Sequence, residues 1–84
     1  MSTSTHPAVE AMTYDERDVV YEALLDRMTV LGKRAAIYTL PKDLDRVERD
    51  RDICRAVISS FFGEDAAERA LVFSNIECGR MSRD

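Results

Sequence analysis

The pattern of apolar and polar residues between Thr13 and Leu31 predicts a first amphipathic helix. Apolar side chains recur there every three or four positions, which is the spacing of one face of an α-helix. Thr13 and Glu16 have the spacing of a capping box, in which each side chain satisfies a free backbone N–H group at the helix start. Gly32 can adopt the left-handed conformation that ends many helices. The predicted core stripe consists of Val20, Leu24, Met28 and Leu31.

A longer second helix is predicted over residues 43–62, because Pro41 and Asp43 suit its start and Gly63 suits its end. Arg51 interrupts the apolar stripe of this helix, where a lone guanidinium is costly unless it has a partner. We therefore expect the first half of the helix to extend beyond the core into water. The alternatives are a buried ion pair and an arginine presented to an anionic ligand. The apolar stripe consists of Leu44, Val47, Cys54, Val57, Ile58 and Phe61.

A third helix is predicted over residues 65–78. Asp65 and Glu68 repeat the spacing of a capping box, and Gly79 supplies a stop signal. The helix has two apolar faces, and a domain this small has difficulty covering both. Because an exposed apolar patch commonly marks an interface, the second face predicts a dimer or a protein partner. The small-residue face consists of Ala67, Ala70, Leu71, Ser74 and Cys78, and the second face of Val72, Phe73 and Ile76.

These three helices predict an all-α fold, a small bundle in a single domain. The segment 34–40 is predicted to be a short helix or an extended connector, because a proline disfavours helical geometry in the residue before it. The alternative is an α/β fold with strands at 34–40 and 70–77 beside the long helix. That fold needs a second chain, since a two-stranded sheet is marginal alone. The predicted divisions are a flexible N-terminal arm at 1–12, the helical domain at 13–79 with helices at about 13–31, 43–62 and 65–78, and a C-terminal tail at 80–84.

Length and composition limit the chain to one small domain of modest stability. A chain of 84 residues buries roughly 60–65% of the surface that its unfolded form exposes. No apolar run approaches the roughly 18 residues of a membrane span, and the polar first residues do not form a secretory signal. We therefore expect a cytoplasmic protein that does not bind membranes. Cys54 and Cys78 are expected to be reduced thiols in helices, because disulfides are rare in that compartment.

Charge is distributed unevenly along the chain, whose net charge is −4. Residues 1–32 carry −4, residues 33–63 carry +2 and residues 64–84 carry −2. Four carboxylates of the first helix are spaced three and four positions apart, where like charges repel by about 0.2–0.5 kcal/mol per pair. They form either a solvated face or a docking stripe for a basic partner surface. This acidic stripe consists of Asp15, Asp18, Glu22 and Asp26.

No combination of residues in the chain forms a recognisable catalytic or cofactor site. Gly32 and Lys33 lack the earlier glycine and the final Ser or Thr of a phosphate-binding loop. His6 lies in the predicted arm, and no serine has the sequence context of a nucleophile elbow. A zinc site needs about four ligands, which two cysteines and one histidine do not supply. We therefore expect neither an enzyme nor a protein that holds a metal or a cofactor.

The first hypothesis for function is protein binding. The acidic stripe steers the encounter with a basic surface of another protein, and the spare apolar residues supply affinity. We expect an adaptor or an inhibitor that also forms a homodimer. Small acidic helical chains are common among the accessory proteins of phages and mobile elements, which makes a nucleic-acid-handling host protein one candidate target.

The alternative hypothesis is a DNA- or nucleotide-binding regulator that uses the basic middle of the chain. A helix-turn-helix could place the arginines of the long helix in a groove of DNA. Five acidic residues share that helix, however, and they repel phosphates. Such a regulator would lose affinity steeply as salt is added. The candidate anion-binding residues are Lys33, Arg34, Arg51 and Arg55, accompanied by Arg46 and Arg49.

Overall fold

The computed structural model describes residues 6–82, which form four helices. The predicted all-α fold is confirmed: the three long helices pack against one another, and the described residues include no strand. The α/β alternative is wrong, because residues 70–77 lie in a helix, and residues 34–40 form the end of a helix, a turn and a short connector. None of the helices formed by these residues is both long enough and apolar enough to span a membrane. The helices are α1 (Pro7–Glu10), α2 (Tyr14–Ala35), α3 (Pro41–Phe62) and α4 (Glu64–Glu77).

The N-terminal segment is described from His6 onward, and it contacts the end of α3. The His6 ring stacks on the Phe61 ring with 4.9 Å between their centroids. Val9 in α1 is only 1% exposed, and its carbonyl accepts a 2.9 Å hydrogen bond from the Arg17 guanidinium. The described part of the predicted arm therefore contains a short helix with one buried side chain. The residues before His6 lie outside the described part of the chain.

The start of α2 is the one that the capping box predicted. Thr13 Oγ1 accepts a 3.1 Å hydrogen bond from Glu16 N–H, and Glu16 Oε1 accepts a 2.8 Å hydrogen bond from Thr13 N–H. Glu16 and Asp15 also place negative charge in the first turn, where the helix dipole is positive. Chemistry within a few residues is therefore sufficient to begin this helix.

The predicted end of this helix at Gly32 is wrong, because α2 continues to Ala35. Gly32 is buried within the helix, and it does not have a positive φ. A Cβ atom at this position would lie 2.7 Å from Cys78 Sγ and 3.4 Å from Arg51 Nε. Gly32 therefore allows close contact with the other helices and does not act as a stop signal.

A proline and a glycine set the limits of α3. Pro41 occupies the first turn, and the residue before it is extended, as the steric effect of proline requires. Gly63 ends α3 with a φ of 98°, in the region that favours glycine. Because α4 begins at Glu64, Gly63 alone joins the two helices. The predicted capping box of Asp65 and Glu68 does not form, and no side chain caps the start of α4.

Small and medium-sized side chains fill the space between the three long helices. Met28 of α2 and Ile58 of α3 are fully buried. Ala67 and Ala70 are also fully buried, so the small-residue face of α4 is the one that lies against the core. Small side chains on that face let α4 approach its neighbours closely. The core consists of Met28, Leu31, Val47, Cys54, Ile58, Ala66, Ala67 and Ala70.

Arg51 joins three helices, and it is only 5% exposed. Its Nε donates a 3.1 Å hydrogen bond to the Met28 carbonyl of α2. Its Nη2 donates 2.9 Å hydrogen bonds to Ser74 Oγ and Asn75 Oδ1 of α4. Its Nη1 lies 3.8 Å from a carboxylate oxygen of Glu48. The expectation that the first half of α3 extends into water is therefore wrong, and mainly neutral acceptors satisfy the buried guanidinium.

Candidate functional site

The acidic stripe predicted on the first helix lies on the solvent side of α2. All four of its residues are exposed. Their side chains make no hydrogen bond or ion pair with residues 6–82, whereas three glutamates of α3 and α4 each pair with an arginine. The fold therefore leaves four negative charges without a paired cation. These residues are Asp15, Asp18, Glu22 and Asp26.

An apolar strip lies beside the acidic stripe on the same helix. Val19 is 68% exposed and Val30 is 41% exposed, and Ala23 between them is exposed as well. Spacings of four and seven residues place these three side chains on one side of α2. We call Val19, Ala23 and Val30 the α2 apolar strip. The outward face of α2 thus combines apolar area with unpaired charge.

A groove of 450 Å³ lies at the N-terminal end of this outward face. Met12, Val19 and Val20 give it an apolar lining, and Asp15 and Glu16 add carboxylates. A groove with apolar walls and negative charge is complementary to an amphipathic segment that carries basic residues. The groove extends the α2 apolar strip toward the start of the helix.

The second apolar face predicted on the last helix also lies on the outside of the bundle. Val72 is 42% exposed, Phe73 is 49% exposed and Ile76 is half-buried. They line a depression of 370 Å³ together with Glu68 and Arg69. Because the small-residue face of α4 packs into the core, the two predicted faces of this helix have separate roles.

The four candidate anion-binding residues do not form one site. Lys33 and Arg34 are exposed near the end of α2. Arg51 is buried and donates to protein acceptors, so the interpretation that it is presented to an anionic ligand is wrong. Arg55 donates to two glutamates of α4, one of them at 2.7 Å. The basic segment of the sequence is therefore divided between internal contacts and the surface.

Ion pairs near α4 hold carboxylates in their charged form. Arg80 donates to both oxygens of Glu48, and this hydrogen bonding lowers the pKa of the Glu48 carboxyl. A hydrogen bond from the Ser59 hydroxyl, aided by Arg55, lowers the pKa of Glu64. These groups connect α3 to α4 and to the segment after it. Their charges are therefore used within the fold, unlike those of the acidic stripe.

A polar cleft between α2 and α3 was not predicted from the sequence. Arg27, Arg34 and Arg46 line this cleft of 420 Å³, together with Tyr38. Arg34 and Arg46 belonged to the predicted basic segment, but Arg27 lies in the acidic first third of the chain. The seven-residue spacing of Arg27 and Arg34 was the only local signal, and it places both on one side of a helix.

The two cysteines are free thiols, of which Cys54 is buried and Cys78 is half-buried. Burial raises the pKa of the Cys54 thiol, which disfavours the reactive thiolate. Cys54 therefore serves as a small apolar side chain of the core. Within the part of the chain that the structure describes, no group of three or more His, Cys, Asp or Glu residues is placed to hold a metal ion.

No protein-family model matches the chain, and no curated protein or solved structure is significantly similar to it. Function must therefore be inferred from the surfaces of the molecule. Val19, on the outward face of α2, is the most exposed valine among the described residues. The unpaired carboxylates of the acidic stripe lie beside it.

Proposed function

We propose that this chain is a small acidic protein-binding module, an adaptor or an inhibitor, which docks on a partner through the outward face of α2. The observation that carries the proposal is that four unpaired carboxylates lie beside the exposed α2 apolar strip. The carboxylates attract a basic surface over about a Debye length, roughly 10 Å at 0.1 M salt. The strip supplies short-range affinity once the surfaces meet. The expected partner is a protein with apolar residues in a basic surface.

The α2 apolar strip supplies a limited part of the affinity. Full burial of a valine side chain contributes about 1.5–3 kcal/mol. Val19 is 68% exposed, so its burial by a partner contributes about 1–2 kcal/mol, and Val30, at 41%, contributes about half as much. Together these amounts correspond to roughly a hundredfold in affinity. Any affinity for the partner beyond this factor must therefore come from the carboxylates and the adjoining groove.

The repulsion within the acidic stripe supports a role in binding. Asp18 and Glu22 are four residues apart, as are Glu22 and Asp26. Each such pair destabilises the helix by about 0.2–0.5 kcal/mol at low salt, and no described cation lies within ion-pair distance of them. A basic partner relieves this repulsion, so its docking gains an electrostatic contribution that the free chain lacks.

The docking face is tested by reversing the charge of Asp18, Glu22 and Asp26 to lysine. The variant should keep its helical circular dichroism spectrum, because the three side chains are exposed and make no hydrogen bond or ion pair with the described residues. It should lose the proteins that the tagged chain captures from native host lysate, identified by mass spectrometry. The matched control reverses three other exposed and unpaired carboxylates, Asp45, Asp52 and Asp65, on α3 and α4.

Each outcome of this capture experiment has a defined meaning. A stoichiometric protein that is retained by the control and lost by the stripe variant supports the proposal. Equal capture by both variants removes the acidic stripe from the mechanism. Lysate treated with nuclease serves as a second comparison. Partners that disappear after nuclease treatment favour the alternative of a nucleic-acid-binding regulator.

The outward face of α4 is the proposed contact between two copies of the chain. A two-fold interface places one patch against the same patch of the other copy, so an apolar centre pairs with itself. Phe73 is half exposed and is the largest side chain of this apolar face. The change Phe73→Ser should shift the chain from dimer to monomer in sedimentation equilibrium, whereas Val19→Ser on α2 should not. A chain that is monomeric at all accessible concentrations would contradict this assembly.

A further inference from the structure

The cleft between α2 and α3 contains arginines that the fold does not use for internal contacts. Arg27 and Arg34 line it from α2, and Arg46 lines it from α3. None of the three guanidinium groups makes a hydrogen bond or an ion pair with residues 6–82. Their guanidinium groups are therefore available to a ligand. The arginines that do donate to protein acceptors are Arg17, Arg51, Arg55 and Arg80.

The cleft also offers apolar and aromatic surface. Leu31 and Val47 line it and are almost fully buried, so they form an apolar base. Tyr38 lines it too, and its side chain remains partly exposed. The volume of 420 Å³ lies within the range of about 300–1,000 Å³ that small-molecule pockets occupy. A planar ring can therefore stack on Tyr38 while a polar group contacts the arginines.

Two carboxylates narrow the choice of ligand. Asp43 and Asp50 line the same cleft, and their carboxylates also make no hydrogen bond or ion pair with the described residues. Guanidinium groups only donate hydrogen bonds, and ionised carboxylates only accept them. A ligand that satisfies both carries an anionic acceptor and, apart from it, N–H or O–H donors. Three arginines and two aspartates leave an excess of one positive charge, which suits a single phosphate better than a polyanion.

We propose that this cleft binds a nucleoside monophosphate. The arginines bind the phosphate, for which the planar guanidinium provides paired donors. The base stacks on Tyr38, and its N–H groups donate to Asp43 or Asp50. The net charge of −4 disfavours a longer nucleic acid, whose further phosphates would meet the acidic surface. This site is separate from the α2 apolar strip, and its test does not depend on the proposed partner.

The proposal is tested by isothermal titration calorimetry of the full chain with the four common nucleoside monophosphates, their nucleosides and inorganic phosphate. At least one nucleotide should bind more tightly than its nucleoside and than phosphate alone. Arg34→Glu and Arg46→Glu should each weaken that binding by about tenfold or more, because each removes charge-assisted hydrogen bonds. Tyr38→Ala should weaken it by about fivefold or more through loss of stacking. Arg49→Glu, exposed on α3 and outside the cleft, should change it by less than about twofold.

Circular dichroism establishes whether each variant is folded. If a cleft variant does not fold, chemical-shift mapping of the unmodified chain by nuclear magnetic resonance provides the same test, through the Tyr38 ring and the arginine Nε–H signals. The proposal is overturned if no nucleotide binds at millimolar concentration, or if Arg49→Glu weakens binding as much as the cleft variants. It is also overturned if nucleosides or phosphate alone bind as tightly, or if a single-stranded oligonucleotide binds more tightly than a mononucleotide.

Discussion

Replacing Arg51 with methionine should remove much of the stability of the bundle. Methionine keeps a long flexible stem but offers no hydrogen-bond donor. In the natural chain the guanidinium donates to the Met28 carbonyl, to Ser74 Oγ and to Asn75 Oδ1. The variant leaves these acceptors without their donor, and it removes the polar link between α2, α3 and α4.

The expected decrease in the free energy of unfolding follows from the three lost hydrogen bonds. A hydrogen bond to a charged group contributes about 1.5–3 kcal/mol, and a buried acceptor left unpaired costs about 1–3 kcal/mol. Methionine offsets part of the loss, because the desolvation penalty of the buried charge disappears. We expect a net loss of about 3 kcal/mol. At about 0.05–0.15 kcal/mol per residue, a domain of this size has a free energy of unfolding of about 4–12 kcal/mol.

Urea denaturation followed by far-ultraviolet circular dichroism measures this loss. Arg49→Met is the matched control, because Arg49 lies on the same helix with an exposed side chain. The control should change the free energy of unfolding by less than about 0.5 kcal/mol. Ser74→Ala should be destabilising alone but should add little to Arg51→Met, since the two share one hydrogen bond. A loss below about 1 kcal/mol for Arg51→Met, or equal losses for both arginine variants, would mean that these buried hydrogen bonds do not stabilise the bundle.

Two further changes test the packing and the ion pairs around α4. Gly32→Ala should destabilise the fold by about 1–3 kcal/mol, although alanine favours helices by about 1 kcal/mol, because its Cβ would lie 2.7 Å from Cys78 Sγ. In thermal unfolding, Cys78→Ala should reduce this loss, and an unchanged loss would contradict the proposed contact. The lowered pKa of Glu48, caused first by its hydrogen bond from Arg80, means that the folded state favours the charged carboxylate. The contribution of the charged Glu48 carboxylate to the free energy of unfolding is present above the ordinary carboxyl pKa. It is lost as pH falls through the lowered pKa. Urea midpoints measured over the acidic range should therefore fall less steeply for Glu48→Gln, and identical slopes would argue against this ion pair.

Several helix limits could be predicted because their causes are local. Thr13 and Glu16 cap α2 through bonds that span three residues. Pro41 and Gly63 limit α3 through their own backbone preferences. Apolar periodicity also identified the core side of α2, where Met28 and Leu31 are buried. None of these effects requires knowledge of a second helix.

The wrong predictions from the sequence concern residues whose roles depend on a neighbouring helix. Gly32 resembled the stop signal of a helix, but the absence of a side chain there allows close contact with Cys78, in the segment after α4. Arg51 resembled an exposed residue in an interrupted stripe, but its acceptors lie on α2 and α4, more than twenty positions away in the sequence. Periodicity shows which side of a helix a residue occupies. It does not show what that side meets.

The three candidate surfaces also differ in whether they lie on one helix or between two. The acidic stripe and the apolar face of α4 each lie on one helix, so 100° of rotation per residue was enough to predict which side chains stand together. The cleft joins Arg27 and Arg34 to Arg46, and it exists only because α2 and α3 lie side by side.

Residue patterns along the chain were enough to identify the three long helices, the start of α2 and the grouping of side chains on each of these helices. The packing of the helices was needed to show that Gly32 is a packing position, that Arg51 is buried and that Arg27 and Arg46 line one cleft. This difference arises because helix formation depends on contacts within about four residues. Pairing between helices depends instead on distances in space that no spacing along the chain specifies.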